Sequence, residues 1–208
     1  MYTNRWIDRQ AQAQYTGNRE NEKGWGVEMV ILTTERLLIR NVEMKDVPVI
    51  YDYRNHPVCA RYQRGQTKDP DGIAALVQGR RADTLNGETP CLLAVARKET
   101  DELVGEIVVM PSENTFSFGY TFSYRHHRKG YAFEALSALM NELHSRYANW
   151  EFICFTDPEN TPSMALLKKL GYTDMGYLPA KDAQIFGKWL TEETQEEIAA
   201  VQKKGREA

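Results

Sequence analysis

The residues best suited to chemistry lie between Tyr120 and Ala135. An aromatic stretch there breaks into Arg125, His126, His127, Arg128 and Lys129, and Gly130 follows just before an apolar-striped segment that begins at Tyr131. Ala132, Ala135, Leu136, Leu139, Met140, Leu143 and Tyr147 recur at three- and four-residue steps, which predicts a helix with one continuous buried face. The opening N–H groups of such a helix have no partner within it, and its aligned peptide dipoles make that end partly positive. A basic loop that delivers a helix N-terminus through a glycine is a cradle for an anion, a diphosphate above all. Gly130 lets the main chain come close and adopt an unusual backbone angle. The same residues also fit a solvated charge run ahead of a surface helix, and one glycine before a helix is a weak motif.

About thirty residues further on, Asn160, Thr161, Pro162 and Ser163 open a second helical segment. Met164, Leu167 and Leu170 give it an apolar side, and Gly171 stops it. An asparagine and a hydroxyl at a helix start can cap the backbone or bond a polar ligand.

The elements that must position these residues follow from pattern. Arg36 to Val42 reads as a strand, Lys45 to Asn55 as a helix with Asp46 as cap or early acid, and Pro57 as its interruption. A second helix follows Pro70 and Asp71 and runs through Ile73, Leu76 and Val77 to about Ala82. Cys91 to Arg97 and Leu103 to Met110 are strands joined by a short polar hairpin connection. Phe116, Phe118, Tyr120 and Phe122 alternate with Ser117, Gly119, Thr121 and Ser123, which gives the next strand one aromatic face. After the long helix, Glu151 to Thr156 is another strand, so a strand, helix, strand unit with a parallel pair is expected. Tyr172 to Tyr177 and Gln184 to Leu190 are the last strands, and Thr191 starts a charged terminal helix.

The chain of 208 residues, 42% hydrophobic, can bury one substantial core. The pattern divides it into an extension over residues 1–29, one domain over 30–190 and a helical tail over 191–208. The extension is polar, with Trp6 and Trp25 among its few large hydrophobes, and reads as covering either a subunit interface, in a homodimer, or the active cleft. A net charge of -3 gives no general case for nucleic-acid or membrane-surface partners. Cys59, Cys91 and Cys154 are odd in number and widely spaced, which predicts reduced, buried thiols and no zinc site. With no apolar run of membrane length and no secretory signal core, a cytoplasmic protein is expected.

The two constellations together resemble the GNAT superfamily of acetyl-CoA-dependent N-acetyltransferases. His127 to Ala132 is similar to its pyrophosphate motif, Gln/Arg-x-x-Gly-x-Gly/Ala, with His127 in place of the usual Gln or Arg. Asn160 through Ser163 to Leu170, Gly171 and Tyr172 is similar to its following Asn-helix-Leu-Gly-aromatic element. Within the superfamily, Thr34 to Arg40, Phe118 to Tyr120, Gly130 to Ala135 and the Asn160 and Ser163 pair resemble the branch containing ribosomal-protein N-terminal acetyltransferases. The resemblance covers Leu32 to about Leu190.

The resemblance implies a mixed α/β fold: a central, mostly antiparallel sheet with a parallel pair splayed at the acetyl-CoA site and helices on both faces. It implies acetyl-CoA as cosubstrate, no metal, and an amine acceptor, either a small molecule or a peptide N-terminus, that attacks the thioester directly. Pantetheine would pair with backbone near Phe122 and Tyr124, and the diphosphate would meet His127, Arg128, Lys129, Gly130, Tyr131 and Ala132. Asn160 would bind pantetheine or order its loop. Ser163 is the favoured donor near sulfur, against a bland role as a helix-start hydroxyl. Glu106 is the first-named base, against a bland role as a solvent-face strand residue. Many superfamily members carry a tyrosine acid where this chain has Leu167. Glu134 is expected to cap or to form a structural ion pair, and the helices at Lys45 to Asn55 and Ile73 to Ala82 to wall the acceptor side. The rival reading is a non-catalytic CoA-sensing or interaction module.

Overall fold

The computed structural model describes residues 30–207. The extension expected over 1–29 lies outside the described residues. The strands are β1 (Val30–Thr33), β2 (Leu37–Asn41), β3 (Cys91–Arg97), β4 (Leu103–Ser112), β5 (Thr115–Phe122), β6 (Glu151–Thr156), β7 (Thr173–Leu178) and β8 (Ala183–Lys188). The helices are α1 (Val47–Asn55), α2 (Pro57–Ala60), α3 (Pro70–Arg80), α4 (Tyr131–Arg146), α5 (Thr161–Lys169) and α6 (Glu192–Glu207). The architecture is mixed α/β with eight strands, mostly antiparallel, and one parallel pair formed by β5 and β6. The chain folds as two compact units, one of 30–113 with 118–138, the other of 114–117 with 139–207.

In the first unit, β2 pairs antiparallel with β1 and with β3, and β3 with β4. The β3–β4 register slips between Val95 and Ala96, leaving Val104 as the extra residue of a bulge. Ser123 N–H donates to the Val104 carbonyl at 2.9 Å. Beside the bulge, a Cβ on Gly105 would stand 2.7 Å from both the Thr121 carbonyl oxygen and Phe122 Cδ1, so only glycine admits this approach of the strands. A two-residue turn, Glu113 and Asn114, both at positive φ, leads from β4 to β5 as a primed hairpin turn requires.

The helices of this unit start and stop where their sequence dictates. His56 is extended (φ -74, ψ 129), the conformation the following proline imposes, and so ends α1; its Nδ1 accepts from Val58 N–H at the start of α2. Asp69 Oδ1 accepts from Gly72 N–H at 2.7 Å and caps α3. Val42, Ile50, Tyr53, Ile73, Val77, Leu92, Ala94 and Leu103 form the core. The sequence missed β1 and a fully buried charge, Arg40. Its guanidinium donates to both oxygens of Asp46 (2.8 and 3.0 Å) and to Asp101 (2.8 Å), pinning the start of α1 to the β3–β4 turn.

In the second unit, β5 and β6 register Thr115 with Glu151 and Phe116 with Phe152 in parallel, and β6 and β7 each pair antiparallel with β8. Phe116 packs against Trp150 and Phe152, with ring centroids 4.6 and 5.4 Å away. The charged tail is tied down. Glu151 accepts from Thr191 N–H, Thr191 Oγ1 and Thr194 Oγ1 at 2.6 to 2.8 Å, and Ile198 of α6 is fully buried. Among the described residues, no helix is long and apolar enough to cross a membrane. Cys91 and Cys154 are buried free thiols, whereas Cys59 is partly exposed.

Candidate active site

The basic loop and the start of α4 take the form the sequence predicts. A 3-10 turn over Tyr124–His126 ends β5, and Arg128 (φ 60) and Gly130 (φ 82) both sit in the left-handed region immediately before α4. A Cβ on Gly130 would meet only Arg36 Nη2, at 3.3 Å, so glycine is set there by its backbone angle more than by space. Glu134 N–H donates to the Gly130 carbonyl, the first bond of the helix, so the N–H groups of Tyr131 and Ala132 have no partner inside it.

Arg36 locks this corner. Its Nε donates to Glu134 at 2.6 Å, its Nη1 to the Lys129 carbonyl at 3.1 Å, and its guanidinium carbon lies 4.8 Å from the centre of the Tyr131 ring. Glu134 also accepts from Thr34 Oγ1 (2.6 Å) and Arg36 N–H (2.9 Å). Burial pushes the Glu134 carboxyl up, but these donors outweigh it and hold it below the ordinary carboxylate range. Glu134 is thus the structural ion pair that its place in the helix suggested.

The loop side chains divide in direction. Arg128 is exposed and has no polar partner among the described residues. Lys129 Nζ lies 3.5 Å from His126 Nδ1, and His126 Nε2 lies 3.4 Å from Glu102. Burial is the largest influence on His126 and pushes its pKa below the ordinary value, against the pull of Glu102. The His127 imidazole turns back along the chain: Nε2 donates to the Phe122 carbonyl at 2.8 Å, so Nε2 carries the proton. Tyr124 stacks on His56 with centroids 3.6 Å apart, and its hydroxyl accepts from Arg125 Nε.

Glu106 is not on a solvent face. It is 2% exposed in β4, and Arg54 Nε and Nη2 donate to its two carboxylate oxygens at 2.8 and 2.7 Å. Arg54 Nη1 also donates to the Thr67 carbonyl at 3.1 Å. The chain from α2 to α3 is fastened to the end of β5 by side chains: Cys59 Sγ donates to the Phe122 carbonyl (3.4 Å), Gln63 Nε2 to the Tyr120 carbonyl (3.1 Å) and Gln66 Nε2 to Thr121 Oγ1 (3.0 Å). In the second unit, Asn160 is the N-cap of α5: its Oδ1 accepts from Ser163 N–H at 3.2 Å. Leu167 is buried in that helix.

The structure thus brings His127, Arg128, Lys129, Gly130, Tyr131 and Ala132 together with Phe122 and Tyr124 in one unit, and Asn160 with Ser163 in the other. Sequence reasoning missed Arg36, Arg54, Gln63 and Gln66. Glu106 inside an apolar strand was a signal that a buried carboxylate must find a cation, although it could not say which.

Residues 36–173 match the Acetyltransferase (GNAT) domain, and the chain belongs to this family of N-acetyltransferases. It is 30% identical, over 70% of its length and 84% of the relative's, to the uncharacterized N-acetyltransferase YnaD of Bacillus subtilis. A GNAT-family acetyltransferase structure from Bacillus anthracis is 25% identical, with a TM-score of 0.65 over 76% of this chain and 96% of that one. RimL, a ribosomal L7/L12 alpha-N-protein acetyltransferase solved in complex with coenzyme A, shares the fold at 15% identity, with a TM-score of 0.65 over 77% of this chain and 97% of that one.

Proposed function

We propose that this chain transfers acetyl from acetyl-CoA to a primary amine, borne by a small molecule or by a peptide N-terminus. The observation that carries the reading is the corner before α4, where left-handed Arg128 and Gly130 lead into a helix N-terminus with no Cβ at Gly130 in the way. Main-chain N–H groups from Arg128 to Ala132 hold the diphosphate, with Arg128 and Lys129 adding positive charge. Phe122 and Tyr124 offer backbone to the pantetheine arm, and because His127 and Cys59 already donate to the Phe122 carbonyl, the His127 side chain works on the strand rather than on phosphate.

The bound thioester supplies an activated acetyl group, and a neutral amine attacks its carbonyl directly. A backbone N–H at the end of β5 stabilises the developing oxyanion. Glu106 accepts the amine proton, directly or through water: Arg54 fixes both oxygens, yet each keeps a lone pair beyond its Arg54 bond. Ser163 donates a hydrogen bond to the sulfur as the thiolate departs, and Asn160 orders the turn that presents it. The loss of a tyrosine at Leu167, which is buried, is what turns this role towards Ser163.

The test is incubation with acetyl-CoA and a mixed panel of amines and N-terminal peptides, read by product mass. Acetylated product with matching thiol release is the expected result. Binding of CoA with no acetylated product and no thiol release across the panel would leave a binding module instead.

A further inference from the structure

Charged and titratable side chains stand in a row beside the corner before α4. Arg97 Nη1 lies 3.3 Å from Glu102 Oε2, Glu102 Oε1 lies 3.4 Å from His126 Nε2, and Lys129 Nζ lies 3.5 Å from His126 Nδ1. This order fixes the protonation of the ring. An ammonium only donates, so Nδ1 presents its lone pair to Lys129, Nε2 carries the proton towards Glu102, and the imidazole is neutral. The row ends at the cradle itself. The Lys129 carbonyl accepts from Arg36 Nη1 at 3.1 Å, Gly130 follows, and the Tyr131 ring centre is 6.1 Å from that of His126. The His126 side chain is 10% exposed, with Arg97 on β3, Glu102 just ahead of β4, Lys129 in the loop and Tyr131 on α4 around it. Arg97 also reaches Glu99 at 3.9 Å, and Arg36, held by Glu134, lies on the Tyr131 ring. Of the neighbours in sequence, Arg125 turns to Asp52 and His127 to the Phe122 carbonyl. Burial first of all, and then Lys129 and Arg97, hold the ring below the usual histidine value against the pull of Glu102.

We infer that His126 takes up a proton when the diphosphate of acetyl-CoA binds: Lys129 leaves Nδ1 for a phosphate oxygen, and the freed nitrogen is protonated from solvent. This inference rests on the acetyl-transfer reading above and adds to it a titratable cation at the cradle. Two changes act in the same direction. Departure of the ammonium removes a like charge from beside the ring, and an anion held by Lys129 favours imidazolium. Glu102 stays on Nε2 and balances the new charge. A group whose pKa rises on binding makes binding tighter as pH falls, so affinity for the diphosphate increases on acidification through the range in which His126 titrates.

The test titrates the full chain with dephospho-CoA, which carries the diphosphate but lacks the 3′-phosphate that itself titrates near about pH 6, and with pantetheine, which carries neither. Between about pH 8 and about pH 5.5 the Kd for dephospho-CoA should fall about three- to tenfold, the linkage effect of one nearby charge on a histidine, while the Kd for pantetheine stays within about twofold. Wild-type protein titrated at about pH 6.5 in buffers of different ionisation enthalpy should take up a fraction of a proton per dephospho-CoA bound. His126→Gln, whose carboxamide still accepts from Lys129 but does not titrate, should bind dephospho-CoA with a flat pH profile. Lys129→Met should raise the Kd and narrow the pH step. A flat wild-type profile without proton uptake, or a step that survives in His126→Gln, would overturn the inference and leave acetyl transfer intact. Failure of both acetyl-CoA and dephospho-CoA to bind at any pH would refute the underlying reading instead.

Discussion

Replacing Gly130 by alanine should separate what the cradle does for the fold from what it does for the ligand. At φ 82 an alanine is strained, and holding one L-residue in the left-handed region costs about 1–2 kcal/mol. The new Cβ would stand 3.3 Å from Arg36 Nη2, a flexible end that can yield by a few tenths of an ångström, although Arg36 is also bonded to Glu134 and Lys129. For a chain of this size each kcal/mol lowers Tm by about 2–4 °C, so a drop of about 2–8 °C is expected. If the backbone relaxes to relieve the strain, at least one amide aimed at the diphosphate is lost. A hydrogen bond to a charged group is worth about 1.5–3 kcal/mol, so the Kd for CoA should rise about 10- to 150-fold. Calorimetric titration with CoA and with pantetheine, which lacks the diphosphate, reads this directly: CoA affinity should fall and pantetheine affinity should not. A lowered Tm with unchanged CoA affinity would refute the reasoning.

The remaining expectations concern the network around the site. Arg54→Met leaves Glu106 buried without its cation and should cost about 3–5 kcal/mol in urea unfolding, and pairing it with Glu106→Leu should recover part of the loss. Asn160→Ala removes the α5 cap and should cost about 1 kcal/mol by the same measurement. Acid sensitivity has a definite sign. Burial pushes Glu134 and Asp101 up, but donors from Thr34 and Arg36, and from Lys45 and Arg40, hold both below the ordinary range. Their stabilisation is present above the unfolded carboxylate value of about 4 and is lost as pH falls through the lower folded values, so Glu134→Gln should flatten the stability curve below about pH 4. Ser163→Ala should lower kcat by about a hundredfold or more with acetyl-CoA Kd unchanged; a loss in Kd alone would make Ser163 a binding residue.

Periodicity carried most of the fold. Cys91–Arg97 and Glu151–Thr156 are strands with the predicted ends, because apolar runs bounded by turn residues leave little freedom. The helix from Tyr131 and the parallel pair were also legible, since a strand, helix, strand order admits few connections. What was illegible depends on contacts between residues far apart in sequence. Nothing around Arg54 says that its partner is Glu106, and nothing in Gln63 or Gln66 says that they reach β5, 57 and 55 residues away. The His127 side chain shows the same limit: the motif suggests phosphate, but the turn after β5 aims the ring at the Phe122 carbonyl. Asn160 was legible as a helix-start residue because capping is local.

Amide hydrogen exchange across Arg128 to Ala132, with and without saturating acetyl-CoA, tests the central claim most directly. Main-chain N–H groups that grip the diphosphate should exchange at least about tenfold more slowly when acetyl-CoA is present. Unchanged exchange at these five residues, under conditions where acetyl-CoA binding is measured independently, would contradict the account.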